Sequence, residues 1–242
     1  MKAAARTHVG RVRKTNEDTV FADPGLGLLM VADGMGGYRG GEIASALAVG
    51  TVVEFLRDNL SGSSGEQETQ NLIRRAVEQA EEAIRVRAAS EADLAQMGTT
   101  LVLALARGSM VHLAHLGDSR AYLIRNGEIR CLTRDHSLVS EMLESGQITP
   151  REARNHPLRN VVTRSLGACG YPVAELQALS WEPADTVLLC SDGLSRMLED
   201  KAIRKAVLEG GGDLAGICET LVKMANSKGG RDNISVIVAR QE

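Results

Sequence analysis

Acidic residues recur at the boundaries of apolar, strand-like runs along this chain. Asp33 follows the run "LLMVA" and Asp192 follows "VLLCS", and a glycine comes next in both places. The other acidic residues that border such runs are Glu17, Asp18, Asp118 and Asp232. Each of them taken singly has a structural explanation, because aspartate is common in turns and at helix N-termini. Their repetition favours a shared explanation, in which neighbouring strand ends bring the carboxylates together at one edge of a sandwich.

Carboxylates that share a small volume need cations to neutralise them, and a pair of divalent metal ions is the simplest solution. The predicted ligands are oxygen atoms without paired histidine or cysteine, which favours Mg²⁺ or Mn²⁺ over Zn²⁺. His112 and His115 are expected on opposite faces of a strand, so they do not form a metal site together. The four cysteines are too widely spaced for a metal knuckle or a disulfide framework, and we expect reduced thiols.

A basic segment lies just before the first acidic pair. The guanidinium of Arg13 is suited to holding a phosphate through two parallel hydrogen bonds. Lys14 is an alternative for this role, and Arg11, Arg13 and Lys14 could equally form a solvated basic strand. The "DGMGG" run contains glycines that permit close backbone approach to a metal, and these are Gly34, Gly36 and Gly37. The P-loop and G-x-S-x-G spacings are absent from the sequence, so a nucleotide cradle and a serine nucleophile have no support.

The composition is that of a globular domain with a substantial core, since 43% of the residues are hydrophobic. The formal net charge is −3, without a basic block, and aromatic residues make up 2%, so nucleic acid is not an expected partner. Neither a signal peptide nor an apolar run of membrane-spanning length is visible in the sequence. We therefore expect one catalytic domain over residues 1–242, cytoplasmic, monomeric and without membrane insertion.

Apolar residues at helical spacing predict two helices over residues 41–57 and 68–89, and further helical segments at 136–145 and 199–225. The glycine run at 210–212 divides the last of these in two. Helices in pairs between groups of strands favour a sheet packed on a sheet with helices outside.

Short β-prone runs predict the strands, at 99–106, 110–117, 120–125 and 128–133. Asn126-Gly127 is a strong two-residue hairpin signal between the last two, and together the four runs predict an antiparallel meander. The run "NISVIVAR" closes the chain as a strand. The pattern weakens over about 135–172, which we interpret as a flap beside the sheets.

The motifs "RKTNED", "VADGMGG", "GDSR", "CSDG" and "RDN" occur in this order across nearly the whole chain. In this they resemble the metal-dependent protein serine/threonine phosphatases of the protein phosphatase 2C family. The resemblance implies an α+β fold, a four-layer α-β-β-α sandwich of two antiparallel sheets flanked by helix pairs, with a flap near the active site. It implies hydrolysis of phosphoserine and phosphothreonine on proteins, by in-line attack of a hydroxide that bridges two Mn²⁺ or Mg²⁺ ions. The implied partners are phosphorylated proteins and a cognate bacterial Ser/Thr protein kinase.

The resemblance also implies roles for individual residues. Asp33 would bridge the two metal ions, Gly34 would offer its backbone carbonyl, and Asp192 and Asp232 would complete one side. Two acidic residues would act largely through metal-bound water, and they are Glu17 and Asp18.

Further roles concern a possible third metal and the phosphate. Asp118 would bind a third, weaker metal ion together with Asp192. Arg13 would bind the phosphate, and Asn233 would support Asp232 from the next position.

One departure from the family pattern concerns the proton donor for the leaving group. Eukaryotic relatives often have a histidine after the first "DG", and this chain has Met35 there. His136 of "RDHS" has a structural role as its first interpretation, and a water on the third metal is an equally open candidate. Two other functions stay open as well, a non-catalytic pseudophosphatase that binds phosphoprotein and a two-metal hydrolase of small phosphate esters. A pseudophosphatase would be expected to lose Arg13 or an aspartate, and this chain keeps them all.

Overall fold

The computed structural model describes the chain in five stretches, which are residues 1–36, 40–61, 65–154, 156–167 and 173–241. Its strands are β1 (Lys2–His8), β2 (Asp18–Asp23), β3 (Leu28–Met35), β4 (Gly98–Thr99), β5 (Leu101–Arg107), β6 (Met110–Leu116), β7 (Arg120–Arg125), β8 (Glu128–Cys131), β9 (Glu175–Ser180), β10 (Thr186–Cys190) and β11 (Ile234–Arg240). Its helices are α1 (Gly40–Asn59), α2 (Glu66–Ser90), α3 (Leu138–Glu144), α4 (Pro150–Arg154), α5 (Asp192–Ser195), α6 (Asp200–Gly210) and α7 (Leu214–Ser227), and a 3₁₀ turn covers Ala92–Leu94.

The strands form two antiparallel sheets. One sheet has the order β1-β11-β10-β7-β8, and the other has the order β2-β3-β5-β6-β9 with β4 paired to the end of β3. Apolar side chains on the facing sides of the sheets form one core layer, which includes Leu29, Val31, Val102, Trp181 and Ile237. The sheets therefore pack face to face, as sandwich sheets do.

Helix pairs cover the outer face of each sheet. Helices α1 and α2 pack on the sheet that contains β3 and β5, through residues such as Val52, Ile73 and Leu103. Helices α6 and α7 pack on the other sheet, through residues such as Ile203, Leu221 and Val236. Both faces of β3 are consequently buried, which explains why its sequence is apolar without alternation. The predicted four-layer α-β-β-α order is confirmed.

The predicted helices at 41–57 and 68–89 correspond to α1 and α2, and the glycine run at 210–212 separates α6 from α7 as expected. The Asn126-Gly127 hairpin is also confirmed, since both residues have the positive φ angles of such a turn, 52° and 76°. None of the described helices is long and apolar enough to cross a membrane.

The prediction of a single meander over residues 99–133 is wrong. β5 and β6 form a hairpin in one sheet, whereas β7 and β8 form a hairpin in the other. The chain crosses between the sheets at Gly117, whose φ of 103° lies in the left-handed region, and a Cβ there would overlap Thr100. This crossing places Asp118 between the two sheets. His112 and His115 lie on opposite faces of β6, as predicted, because the neighbouring Ala114 and Leu113 belong to different core layers.

The segment predicted as a flap contains α3 and α4. An isolated β-bridge between Thr99 and Leu166 joins it to the body, and a second one, between Ser137 and Val162, lies within the segment. Three of the cysteines are free thiols, as expected, and they are Cys131, Cys190 and Cys218. The fourth, Cys169, and one glycine of the "DGMGG" run, Gly37, lie outside the described residues.

Candidate metal centre

Both sheets contribute to one cleft. The residues predicted for the site that line it are Arg13, Glu17, Asp33, Gly34, Asp118, Asp192 and Asp232. Asp18 and Asn233 are buried beside them and hold parts of the site in place. The cleft is also lined by Met35, Gly36, Thr100, Asn160, Val162 and Arg196. The structure thus brings together residues from both ends of the chain and from its middle.

Asp18 and Asp33 stand directly opposite each other in the antiparallel pair of β2 and β3. Oδ2 of Asp18 accepts hydrogen bonds from the hydroxyls of Ser191, at 2.9 Å, and Ser235, at 2.6 Å. Its other oxygen, Oδ1, is buried and has no hydrogen-bond partner among the described residues. Burial raises the pKa of Asp18 to about 6, because the charged form is poorly solvated here.

The backbone of Asp33 is fixed on both sides by Thr100. The Asp33 N–H donates to Thr100 Oγ1 at 3.0 Å, and the Thr100 N–H donates to the Asp33 carbonyl at 2.9 Å. Desolvation, followed by the charges of Asp18 and Asp192, raises the pKa of the Asp33 carboxyl well above its ordinary value. The next residue, Gly34, has its backbone against Gly41, where a Cβ would overlap the carbonyl oxygen, and any larger residue would push the strand end away.

Asp192 is the first residue of α5, directly after β10, and Asp118 follows β6 at the crossing between the sheets. Desolvation and the neighbouring Asp118 raise the pKa of Asp192 to about 7. Arg196, one helical turn after Asp192, contacts both carboxylates, with Nε 2.9 Å from Asp192 Oδ2 and Nη2 2.6 Å from Asp118 Oδ2. The sequence analysis missed Arg196, although the spacing of four residues from Asp192 along a helix was a usable signal.

Asn233 holds the loop that carries Arg13 and Glu17. Its Oδ1 accepts from the Glu17 N–H at 2.8 Å, and its Nδ2 donates to the carbonyls of Val9, at 3.0 Å, and Thr15, at 2.9 Å. Arg13 donates from Nη2 to Asp232 Oδ2 at 2.9 Å, at the open side of the cleft.

The alternative of a solvated basic strand is wrong about the strand, although Arg11, Arg13 and Lys14 are exposed. Residues 9–17 form turns and bends in place of a strand. Arg13 lines the cleft, and Lys14 is exposed and is absent from the described lining residues.

His136 has a structural position close to the site. Its Nδ1 accepts a hydrogen bond from the Gly117 N–H at 3.1 Å, so the proton is on Nε2, which contacts Glu175 at 3.0 Å. The ring stacks on His115, whose Nε2 lies 2.9 Å from the Arg134 carbonyl and donates to it. The nitrogens of His115 and His136 that face Glu175 therefore both carry protons, which leaves no lone pair for a metal ion. His136 fixes the backbone next to Asp118 instead.

The carboxylate cluster fits divalent cations of the kind that bind oxygen. The buried Oδ1 of Asp18 needs a partner, and burial together with the neighbouring carboxylates raises the pKa values of Asp33 and Asp192. Two guanidiniums among the described residues, Arg13 and Arg196, offset part of the charge. Bound Mn²⁺ or Mg²⁺ would supply the remaining positive charge and a partner for the unpaired oxygen.

Comparisons with known proteins agree with this geometry. The sequence profile of the family described as "Protein phosphatase 2C" matches residues 8–236. The serine/threonine phosphatase stp of Listeria monocytogenes is 38% identical over 245 residues, covering 100% of this chain and 96% of that protein. The crystal structure of the Mycobacterium tuberculosis serine/threonine phosphatase PstP/Ppp has a TM-score of 0.90 at 37% identity, covering 100% of this chain and 98% of that one.

A second solved structure carries metal. It is the catalytic domain of the serine threonine protein phosphatase PstP in complex with 2 manganese ions, with a TM-score of 0.88 at 36% identity, covering 99% of this chain and 97% of that one. These matches extend over nearly the full length of the chain, including every residue of the cleft. This chain belongs to the protein phosphatase 2C family.

Proposed function

We propose that this protein is a metal-dependent serine/threonine protein phosphatase and that residues 1–242 form its single catalytic domain. The observation that carries the proposal is the gathering of five aspartates, one glutamate and Arg13 in and beneath one cleft. Carboxylates bind the cations and the guanidinium binds the phosphate, which is the combination that phosphate ester hydrolysis requires.

Two Mn²⁺ or Mg²⁺ ions would be held by Asp33, Asp192 and Asp232, with the Gly34 carbonyl and with Glu17 and Asp18 through water. When bound, such ions supply charge for the phosphoryl oxygens and make a water molecule more acidic. The manganese complex of PstP supports this number of ions, because that catalytic domain matches the whole cleft region. The hydroxyls of Ser191 and Ser235 hold Asp18 in a single orientation toward the cleft.

Arg13 orients the substrate. Its guanidinium is about half exposed and lies at the mouth of the cleft, where it donates one hydrogen bond to Asp232. The remaining N–H groups are directed by a loop that Asn233 fixes, so they are available to grip two oxygens of a phosphoryl group. Because the Asn233 side chain holds the backbone of this loop, Arg13 needs little reorganisation when phosphate binds.

The proton for the leaving group comes from water in this proposal. Met35 lines the cleft and its thioether cannot donate a proton. His136 is buried, and both of its ring nitrogens already make hydrogen bonds to Gly117 and Glu175. Arg13 lines the cleft and is about half exposed, so solvent water can reach the leaving group from that side.

The partners follow from the reaction. Phosphorylated serine and threonine side chains on proteins are the substrates in this proposal, and a cognate bacterial Ser/Thr protein kinase produces them in the cytoplasm. The stp and PstP relatives support this choice because they are named serine/threonine phosphatases. The complete set of aspartates and Arg13 argues against a pseudophosphatase. Hydrolysis of small phosphate esters would use the same site, so only a comparison of substrates distinguishes it from protein dephosphorylation.

The test is phosphate release from a phosphothreonine peptide with Mn²⁺, with Mg²⁺ and with chelator, beside a phosphodiester substrate. We expect metal-dependent release from the peptide, and a loss of at least about a thousandfold in Asp33→Asn, since several kcal/mol of transition-state stabilisation depend on the metals. Asp23→Asn is the matched control, because Asp23 lies on the neighbouring strand β2 but pairs with Arg57 at the surface. Activity confined to the diester, or release that survives chelation, would refute the proposal.

A further inference from the structure

Arg196 is an internal cation of the site. Its guanidinium lies between the carboxylates of Asp118 and Asp192, which are both buried, and it contacts one with Nη2 and the other with Nε. The Arg196 side chain itself is only 27% exposed. An arginine between two carboxylates offsets one of their two charges without a bound ion, and its planar guanidinium fixes the direction of both hydrogen bonds.

The same guanidinium reaches the flap. Nη2 donates to the carbonyl of Arg159 at 3.1 Å, and Nη1 donates to Oδ1 of Asn160. Asn160 lines the cleft opposite the aspartates, and Val162 beside it forms the isolated bridge to Ser137. All three nitrogens of Arg196 are therefore engaged, and they connect the carboxylate pair to the segment that overhangs it.

We propose that Arg196 is a positioning residue that occupies the place of a third divalent cation between Asp118 and Asp192 and fastens the flap to this pair. This inference rests on the proposed function, in which Asp192 is a metal ligand. It differs from the third, weaker metal ion that the family resemblance implies for Asp118. A guanidinium and a divalent ion repel each other at this distance and compete for the same oxygens, so the centre is limited to two ions.

In the first experiment, metal-free protein is titrated with Mn²⁺. The free ion is followed by its electron paramagnetic resonance signal, which gives the number of ions bound. We expect two ions in the wild type and a third in Arg196→Gln, bound at least about tenfold more tightly than any third ion of the wild type. The double variant Arg196→Gln/Asp118→Asn is expected to return to two. Arg57→Gln is the matched control, since it also removes one arginine of an ion pair, but at the surface far from the cleft.

The second experiment measures the flap by hydrogen–deuterium exchange over residues 156–167. Arg196→Gln removes the hydrogen bonds to Arg159 and Asn160, and we expect exchange there to increase about tenfold, the effect of about one net hydrogen bond. Asn160→Ala is expected to raise flap exchange and to leave the count at two Mn²⁺ ions. Asn160→Ala therefore removes only the contact between Arg196 and the flap and leaves the ion pairs of Arg196 with Asp118 and Asp192 in place.

Stable folding of Arg196→Gln is checked by thermal melting, and Arg196→Lys replaces it if it unfolds. A lysine keeps the charge but lacks the fork, so we expect two Mn²⁺ ions and faster flap exchange. Three ions in the wild type, or two in Arg196→Gln, would overturn the proposal while the phosphatase assignment stands. Unchanged hydrogen–deuterium exchange of the flap in both Arg196→Gln and Asn160→Ala would overturn the proposal as well. Failure of the wild type to bind Mn²⁺ would refute the proposed function itself.

Discussion

Replacement of Asn233 by alanine tests how the active-site loop is held. The Asn233 side chain is 6% exposed and makes three hydrogen bonds to backbone groups of residues 9–17, with lengths of 2.8 to 3.0 Å. Each is worth about 1 kcal/mol net, and more where the partner stays buried without a replacement. Because the loop is partly exposed, water can satisfy some of these groups, and we expect a loss of about 3 kcal/mol. For a domain of this size that corresponds to a fall in Tm of roughly 6–12 °C.

The same substitution should also lower activity in the protein that remains folded, because the loop carries Arg13 and Glu17. A displacement of the guanidinium by about 1 Å is enough to reduce kcat/KM by about a hundredfold. The assays are thermal melting and phosphopeptide hydrolysis at a temperature where the variant is fully folded. Asn71→Ala is the matched control, since Asn71 bonds only exposed side chains of its own helix, and it should change Tm by less than about 2 °C. An Asn233→Ala protein with wild-type Tm and kcat/KM would refute the reasoning.

Three further predictions follow from the same geometry. In the presence of a chelator, Tm should fall as the pH rises from about 5 to 8. Burial raises the pKa of Asp18 to about 6 and that of Asp192 to about 7, so the folded state is stabilised by protons that it loses over this range. A Tm that rises with pH would contradict this. Gly34→Ala should destabilise the fold by several kcal/mol, because the added Cβ overlaps the backbone of Gly41. Gly50→Ala, at an open position in the middle of α1, should stabilise the fold by up to about 1 kcal/mol. Chemical denaturation measures both, and equal effects would be inconsistent with the packing. Arg13→Lys should reduce kcat/KM by about tenfold to a hundredfold because a lysine cannot form two parallel hydrogen bonds to phosphate, and wild-type kinetics would rule out that grip.

Sequence reasoning works for the parts of the site that local patterns determine. A buried, apolar run that leads into Asp-Gly is expected to end there, so Asp33 and Asp192 could each be placed at the end of a strand without any contact information. The helix pairs follow from periodicity in the same way, because each helix buries one face on a sheet. Asn126-Gly127 specifies its hairpin through the positive φ angles that these two residues accept.

Sequence reasoning fails where the place of a strand depends on which other strand it pairs with. The strand β1 is largely exposed and is an edge strand, paired only with β11, so its sequence carries little apolar alternation. The false meander has a related cause, because alternation describes each strand but does not say which sheet the next strand joins. Only the backbone at Gly117 distinguishes a hairpin from a crossing.

Serine residues inside apolar runs were an unused signal. Ser191 and Ser235 are fully buried at the ends of β10 and β11, and a buried hydroxyl requires a hydrogen-bond partner. Their shared partner, Asp18, is more than 170 positions away from either along the chain. The need for a partner was therefore readable, but its identity depends on the long-range pairing of strands.

The formal charges of the centre connect these residues to the number of ions. Six acidic residues, from Glu17 to Asp232, gather with two arginines, so the ionised cluster carries four negative charges without metal. Two divalent cations balance this charge, and a third would leave the centre positive before substrate arrives. Arg196→Gln increases the deficit to five and also vacates the space between Asp118 and Asp192. Charge and geometry thus both predict that the number of bound ions depends on this one arginine, which the motif pattern alone does not include.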